Sequence, residues 1–282
     1  MIRYEVTLKQ IVERVDVIAP TWHERAWRRT EGFIALGRYE ESSSIWSEIK
    51  PVYMALQHNK CAYCEQSLEG GRKGTIAHDL EHFRPKGNIR AWPEELGRYS
   101  FPTGDASTVG YFRLAYHLGN YLTSCKVCNS QYKSDFFPIA ATRVAGGANP
   151  GNYSAEGAYL IYPIGLGDAD PEDLILFEGV EAKPRYADGI AWRRAQVMID
   201  FFELNRQELQ EDRAWWLLAT WFVFLKADDG DPLAQQHLAR LTSPQAAHTS
   251  CLRQFVSVCR NNQDQARQLA VLSGEIIKRS EI

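Results

Sequence analysis

Hydrophobic positions change their rhythm along the chain. Residues 1 to 60 read as helical: from Ser44 to His58, Ile45, Trp46, Ile49, Val52, Tyr53 and Leu56 recur at spacings of three and four, the stripe of an amphipathic helix. Pro51 falls inside this stripe and is expected to kink it or to start a second segment. From Cys61 to about Pro138 the pattern breaks into short elements punctuated by Gly, Pro and Asn. Within it, an extended Ile76 to Phe83 puts Ile76, His78, Leu80 and His82 on one face and Asp79, Glu81 and Phe83 on the other, with Pro85 stopping the ladder. Residues 141–157 form a Gly/Asn/Pro-rich connection, and Ala158 to Ile164 is expected to be a short strand. Helical periodicity returns from Ile190 to about Ile277, and its aromatic segment around Trp215, Trp216, Trp221, Phe222 and Phe224 is read as core. The expected organisation is a helical region over 1–60, a chemistry-bearing core over 61–138, a connecting segment with a short strand over 139–189, and a helical region over 190–282.

Composition narrows the class. The 282 residues include 45% hydrophobic and 24% charged positions, enough to bury a core and too apolar for wholesale disorder. The formal charge of −3 excludes a basic coat that grips nucleic acid indiscriminately. No run approaches the roughly 18–20 apolar residues of a membrane span, and MIRYEVTLKQ carries no hydrophobic signal core, so a soluble, cytoplasmic protein is expected.

The cysteines change the picture. Cys61 and Cys64, then Cys125 and Cys128, form two CxxC pairs, whereas Cys251 and Cys259 lie eight apart in a predicted helix and read as buried thiols. Reduced thiols two residues apart suit tight turns that aim both sulfurs at one ion, and two such turns complete a structural Zn2+ shell. A thioredoxin-like redox motif would need only one pair.

Between the pairs stand Glu81-His82, then Asn120, then Asn129 directly after Cys128, and Lys133. This order resembles the HNH, or ββα-metal, nuclease superfamily. The strings Cys-Ala-Tyr-Cys-Glu (61–65), Glu-His-Phe-Arg-Pro-Lys (81–86), Ser-Cys-Lys-Val-Cys-Asn (124–129) and Lys-Ser-Asp-Phe-Phe-Pro (133–138) narrow it. They are similar to the HNH effector subunits of Septu anti-phage systems, the PtuB type, which also accompany certain retrons. Tyr162-Pro163, Asp170-Pro171-Glu172 and Leu204-Asn205-Arg206 extend the likeness over roughly residues 45 to 213.

The resemblance implies an α+β, mainly helical fold: a zinc-stapled ββα-metal core flanked by N- and C-terminal helices. It implies a DNA endonuclease acting beside an ABC/SMC-type ATPase (PtuA-like), with Asn120 orienting the turn that holds His82. A neutral imidazole at His82 takes a proton from water near neutral pH. Glu81 and Asn129 are hard oxygen donors suited to Mg2+ or Mn2+. The family usually has Asp or His where Glu81 stands. His78 lies about 13 Å along the strand from His82 and is read as outside its sphere, and His117 as a loop residue. Zinc would clip Asn129 to Glu81 and His82 across the 60 residues from 65 to 124.

Charge around the core is modest, with nine basic against eight acidic residues between Cys61 and Pro138. Arg84, Lys86, Lys126 and Lys133 flank the motif as candidate phosphate contacts, so the isolated chain is expected to bind nucleic acid weakly. Two other readings remain open at this point: an HNH enzyme that cleaves tRNA or other RNA, and a non-catalytic zinc-binding regulatory subunit.

Overall fold

Thr7 opens the first helix, α1 (Leu8–Ile18), with a reciprocal capping box: its hydroxyl accepts from the Gln10 amide while the Gln10 side chain accepts from the Thr7 amide. α2 (Trp22–Leu36) ends where Gly37 turns left-handed at φ 68°. In this computed structural model, which describes residues 1–93, 97–144 and 150–280, the chain divides into two compact units. One comprises Tyr4–Gln57 and Ile76–Asp168; the other Met1–Arg3, His58–Thr75 and Ala169–Ile282. Glu94 and Glu95 of the charge balance, and residues 145–149 of the Gly/Asn/Pro-rich connection, lie outside the described residues.

In the first unit the 44–58 stripe resolves into a 3-10 turn, Trp46–Ile49, and α3 (Lys50–Leu56). Pro51 sits in the first turn of α3, where a missing N–H costs nothing, so it starts the helix. β1 (His78–His82) pairs antiparallel with β2 (Tyr121–Cys125), His78 opposite Cys125 and His82 opposite Tyr121. The Gln57 amide bonds both backbone groups of Thr123, at 2.9 and 2.7 Å, and so occupies a sheet edge that would otherwise be bare. A wide π-helical turn, Val127–Lys133, follows β2 at once and closes with Ser134 N donating to Asn129 O at 2.6 Å. Gly110 is required by close approach, because a Cβ there would stand 1.7 Å from the Gly87 carbonyl oxygen.

Ala158 to Ile164, expected as a strand, is instead a buried connector: Ala158 bridges Ile139 and Ile164 bridges Tyr4, with no continuous ladder. Its apolar run reflects burial, since Tyr159, Leu160 and Ile161 are fully enclosed, and burial alone does not specify pairing.

The second unit is mainly helical. A four-residue helix, α4 (Pro171–Leu174), leads into a hairpin of β3 (Ile175–Glu178) and β4 (Glu181–Pro184) turning at Gly179. Then come α5 (Gly189–Phe201), α6 (Gln207–Asp228), α7 (Pro232–Leu241), α8 (Thr249–Asn261) and α9 (Gln263–Ser280). The shared core of α6 to α9 holds Leu217, Trp221, Phe224, Leu238, Phe255 and Ala270. The aromatic segment is thus only partly core, for Trp215 and Phe222 face solvent. The fold is α+β, about half helical, with small sheets. No described helix is long and apolar enough to cross a membrane.

Candidate active site and metal centre

Each CxxC pair is shaped by its own turn. Cys61 N donates to Gln66 O at 3.0 Å and Glu65 N to Cys61 O at 3.1 Å, which curls the first pair round a left-handed Glu65. That Glu65 is held by a buried network: the Met1 ammonium lies 2.9 Å from Oε2 and Lys60 Nζ 3.4 Å from Oε1. The second pair ends β2, where Cys128 N donates to Cys125 Sγ at 3.4 Å. All four cysteines are buried, and their sulfurs lie within 4.8 Å of one another. Sulfurs around tetrahedral zinc are about 3.8 Å apart at ordinary Zn–S lengths, so the set fits a structural metal such as zinc. Cys251 and Cys259 stay apart as buried thiols, pushed up to about 12 by burial.

The β1 strand, the π-helical turn and the Trp46 segment enclose a cleft of about 690 Å³. His82, Glu81, Asp79 and Asn129 all line it. His82 is nearly enclosed, its ring edge-on to Trp46 with centroids 4.9 Å apart and tilted against Tyr121. Its Nε2 lies 2.9 Å from the Ala115 carbonyl oxygen. A carbonyl only accepts, so Nε2 carries the proton and Nδ1 is left with the lone pair. Burial, then the nearby Lys86 charge, hold this imidazole well below its ordinary value, outweighing the Ala115 bond.

Glu81 is 5% exposed and stands 3.1 Å from the buried Lys133 Nζ, although Oε1 is not aligned to accept a hydrogen bond. Burial raises the Glu81 carboxyl and the Lys133 charge opposes that rise. Asn129 donates through Nδ2 to Asp79 Oδ2 at 3.0 Å, while Lys126 Nζ lies 2.5 Å from the same oxygen. Asn120 does not line the cleft and ties the turn after β1: Oδ1 accepts from Arg84 N at 2.8 Å and Nδ2 donates to the Arg84 and Leu114 carbonyls.

The four candidate phosphate contacts separate. Lys133 is fully buried against Glu81, and Arg84 is buried on Glu156, the Tyr153 carbonyl and the Tyr111 and Phe137 rings. Both serve the interior. Lys126 is exposed but paired with Asp79; Lys86 lines the cleft. His78 bonds Ile76 O through Nδ1 and His117 accepts from Gly119 N, neither in the cleft. The cleft residues that sequence reasoning passed over include Asp79, Tyr39, Trp46 and Lys50. Alternation had already set Asp79 on the face of Glu81, two carboxylates two residues apart, and that was the available signal.

Among curated proteins, the chain is 30% identical over 166 residues to the Septu protein PtuB of Bacillus mycoides (strain KBAB4). Over that stretch the chain is similar to PtuB. The alignment takes in 59% of this chain and 50% of PtuB, so the chain spans about half the length of that relative. The likeness to PtuB drawn from the motif strings is therefore matched by direct comparison. No protein-family model and no solved structure matches.

Proposed function

We propose that this protein is a metal-dependent HNH-type endonuclease that serves as the effector of an anti-phage system, hydrolysing DNA phosphodiester bonds. The observation that carries the reading is the single cleft in which His82, with Nε2 committed to Ala115, sits beside Glu81, Asp79 and Asn129. Two antiparallel strands followed directly by a helical turn support the same reading.

His82 Nδ1 accepts the proton of the attacking water, and the depressed basicity of the ring keeps it neutral and ready at neutral pH. Ala115 and Trp46 fix the ring while this happens. Glu81 and Asn129, which both line the cleft, are the groups that would hold the catalytic ion, and their hard-oxygen donor set fits it. Mg2+ or Mn2+ bound there supplies charge neutralisation at the phosphate and at the leaving oxygen. The four cysteines carry structural zinc and take no part in cutting. Weak grip on DNA by the chain alone, expected from its charge balance, is made good by an ABC/SMC-type ATPase partner of the PtuA kind.

The test is cleavage of plasmid and of tRNA by wild type and His82→Ala in Mg2+ or Mn2+, with and without the ATPase. The expected result is plasmid cleavage that falls by about 10²–10⁴-fold in the variant. Equal activity removes His82 as base, and cleavage confined to tRNA removes DNA as substrate.

A further inference from the structure

Lys86 stands in the cleft wall with its ammonium 4.6 Å from the Trp46 ring centroid and 5.1 Å from that of Tyr39. A half-buried ammonium ordinarily takes a carboxylate, but here Nζ has no hydrogen bond or ion pair among the described residues. The neighbouring carboxylates are already engaged: Glu81 faces Lys133, and Glu41 is taken by Arg29, Tyr116 and Tyr39. Aromatic faces attract a cation through their quadrupole without neutralising it, so the box fixes the position of Lys86 and leaves its charge and donors unspent. Burial also pulls its basicity down, the expected mark of an ammonium short of counter-charge.

We propose that Lys86 is an anion site for a phosphate oxygen of the substrate strand, held ready by Trp46 and Tyr39 as positioning residues. The proposal rests on the nuclease reading for its substrate, a nucleic-acid phosphodiester. It assigns the segment before α3 a task of its own, to hold the cation in the cleft that His82 and Glu81 also line.

The test uses the full chain and a short fluorescent single-stranded DNA, in buffer without added Mg2+ or Mn2+. Lys86→Gln is expected to weaken binding about tenfold at low salt and to lower the salt slope by about 0.7. Lys86→Arg keeps the slope and reports on folding. Trp46→Leu weakens binding when Lys86 is present and changes it by less than about twofold in the Lys86→Gln background, because the wall acts through the ammonium. An unchanged slope in Lys86→Gln, equal losses from Trp46→Leu in both backgrounds, or no binding by wild type each overturns the proposal. Cleavage with Mg2+ is read separately. Lys86-dependent binding without cleavage sinks the nuclease reading and keeps the anion site, and cleavage with an unchanged slope does the reverse.

Discussion

Lys133 Nζ stands 3.1 Å from Glu81 Oε1 with both side chains withdrawn from solvent, so a lysine at the end of the π-helical turn neutralises a carboxylate one residue before the end of β1. Removing one member leaves the other charged and buried, which costs about 3–5 kcal/mol, whereas an apolar pair of similar volume is nearly neutral. Lys133→Met is therefore expected to lower stability by about that amount in urea titration, and Lys133→Met with Glu81→Leu to recover most of it. Additive losses would show that the two charges do not support each other.

In the other unit, Asp212 is buried among His248 Nε2 at 3.0 Å, Gln66 Nε2 at 3.2 Å and Arg72 Nε at 3.0 Å. Burial alone would raise its carboxyl, but the hydrogen bond and charge of His248 and the Gln66 bond hold it well below the ordinary 3.8. A carboxylate with a depressed folded pKa stabilises the fold above its unfolded pKa, and that stability is lost as pH falls through and below about 3.8. Urea midpoints at about pH 6 and about pH 3 should differ more in wild type than in Asp212→Asn. Equal differences would mean that Asp212 does not carry this part of the acid sensitivity.

The four clustered sulfurs and the two lone ones make opposite chemical predictions. Purified protein is expected to hold about one zinc per chain, and Cys125→Ser to lose both the zinc and the cooperative thermal transition. Cys251 and Cys259 are raised to about 12 and enclosed, so they are poor thiolates. A thiol reagent should accordingly label almost nothing in the native protein and all six cysteines after denaturation with a chelator. Zinc-free protein with an intact transition would remove the metal from the account.

What the sequence revealed, and what it hid, follows from the physics of each element. β1 was legible because its alternation is a strand's own signal and Pro85 ends it. β2 was not, since all five of its residues are buried and a strand enclosed on both faces has no alternation to read. Asn120 and Asn129 came from motif order, and the structure supplies their bonds. Lys133 and Arg84 read as surface charges because a sequence gives charge without depth, and their partners, Glu81 and Glu156, lie 52 and 72 positions away along the chain. Trp46 looked like one more residue of an apolar stripe; the 3-10 turn that precedes α3 rotates it off the stripe and into the cleft wall.

Asp79 links the sheet to the amide of Asn129, and the bond decides which end of that amide is free. Because Asn129 Nδ2 is spent on Asp79 Oδ2, Oδ1 is the atom left to meet a hard cation, and no described residue takes it. Lys126, paired with the same carboxylate oxygen, steadies Asp79 from the solvent side. Without Asp79 the amide would be free to turn, and its donor end would repel an ion as readily as its oxygen would bind one. Partners of this kind, one step removed from the ion, are worth about 10–100-fold in metal affinity. Asp79→Ala is thus expected to raise the Mg2+ concentration for half-maximal cleavage by about tenfold or more while leaving the rate at saturating Mg2+ largely intact. Asp79→Asn, which retains an acceptor but can also present a donor, should fall between. A Mg2+ titration identical to wild type would show that Asp79 does not orient Asn129, and a rate that excess Mg2+ fails to restore would make Asp79 itself one of the groups that hold the ion.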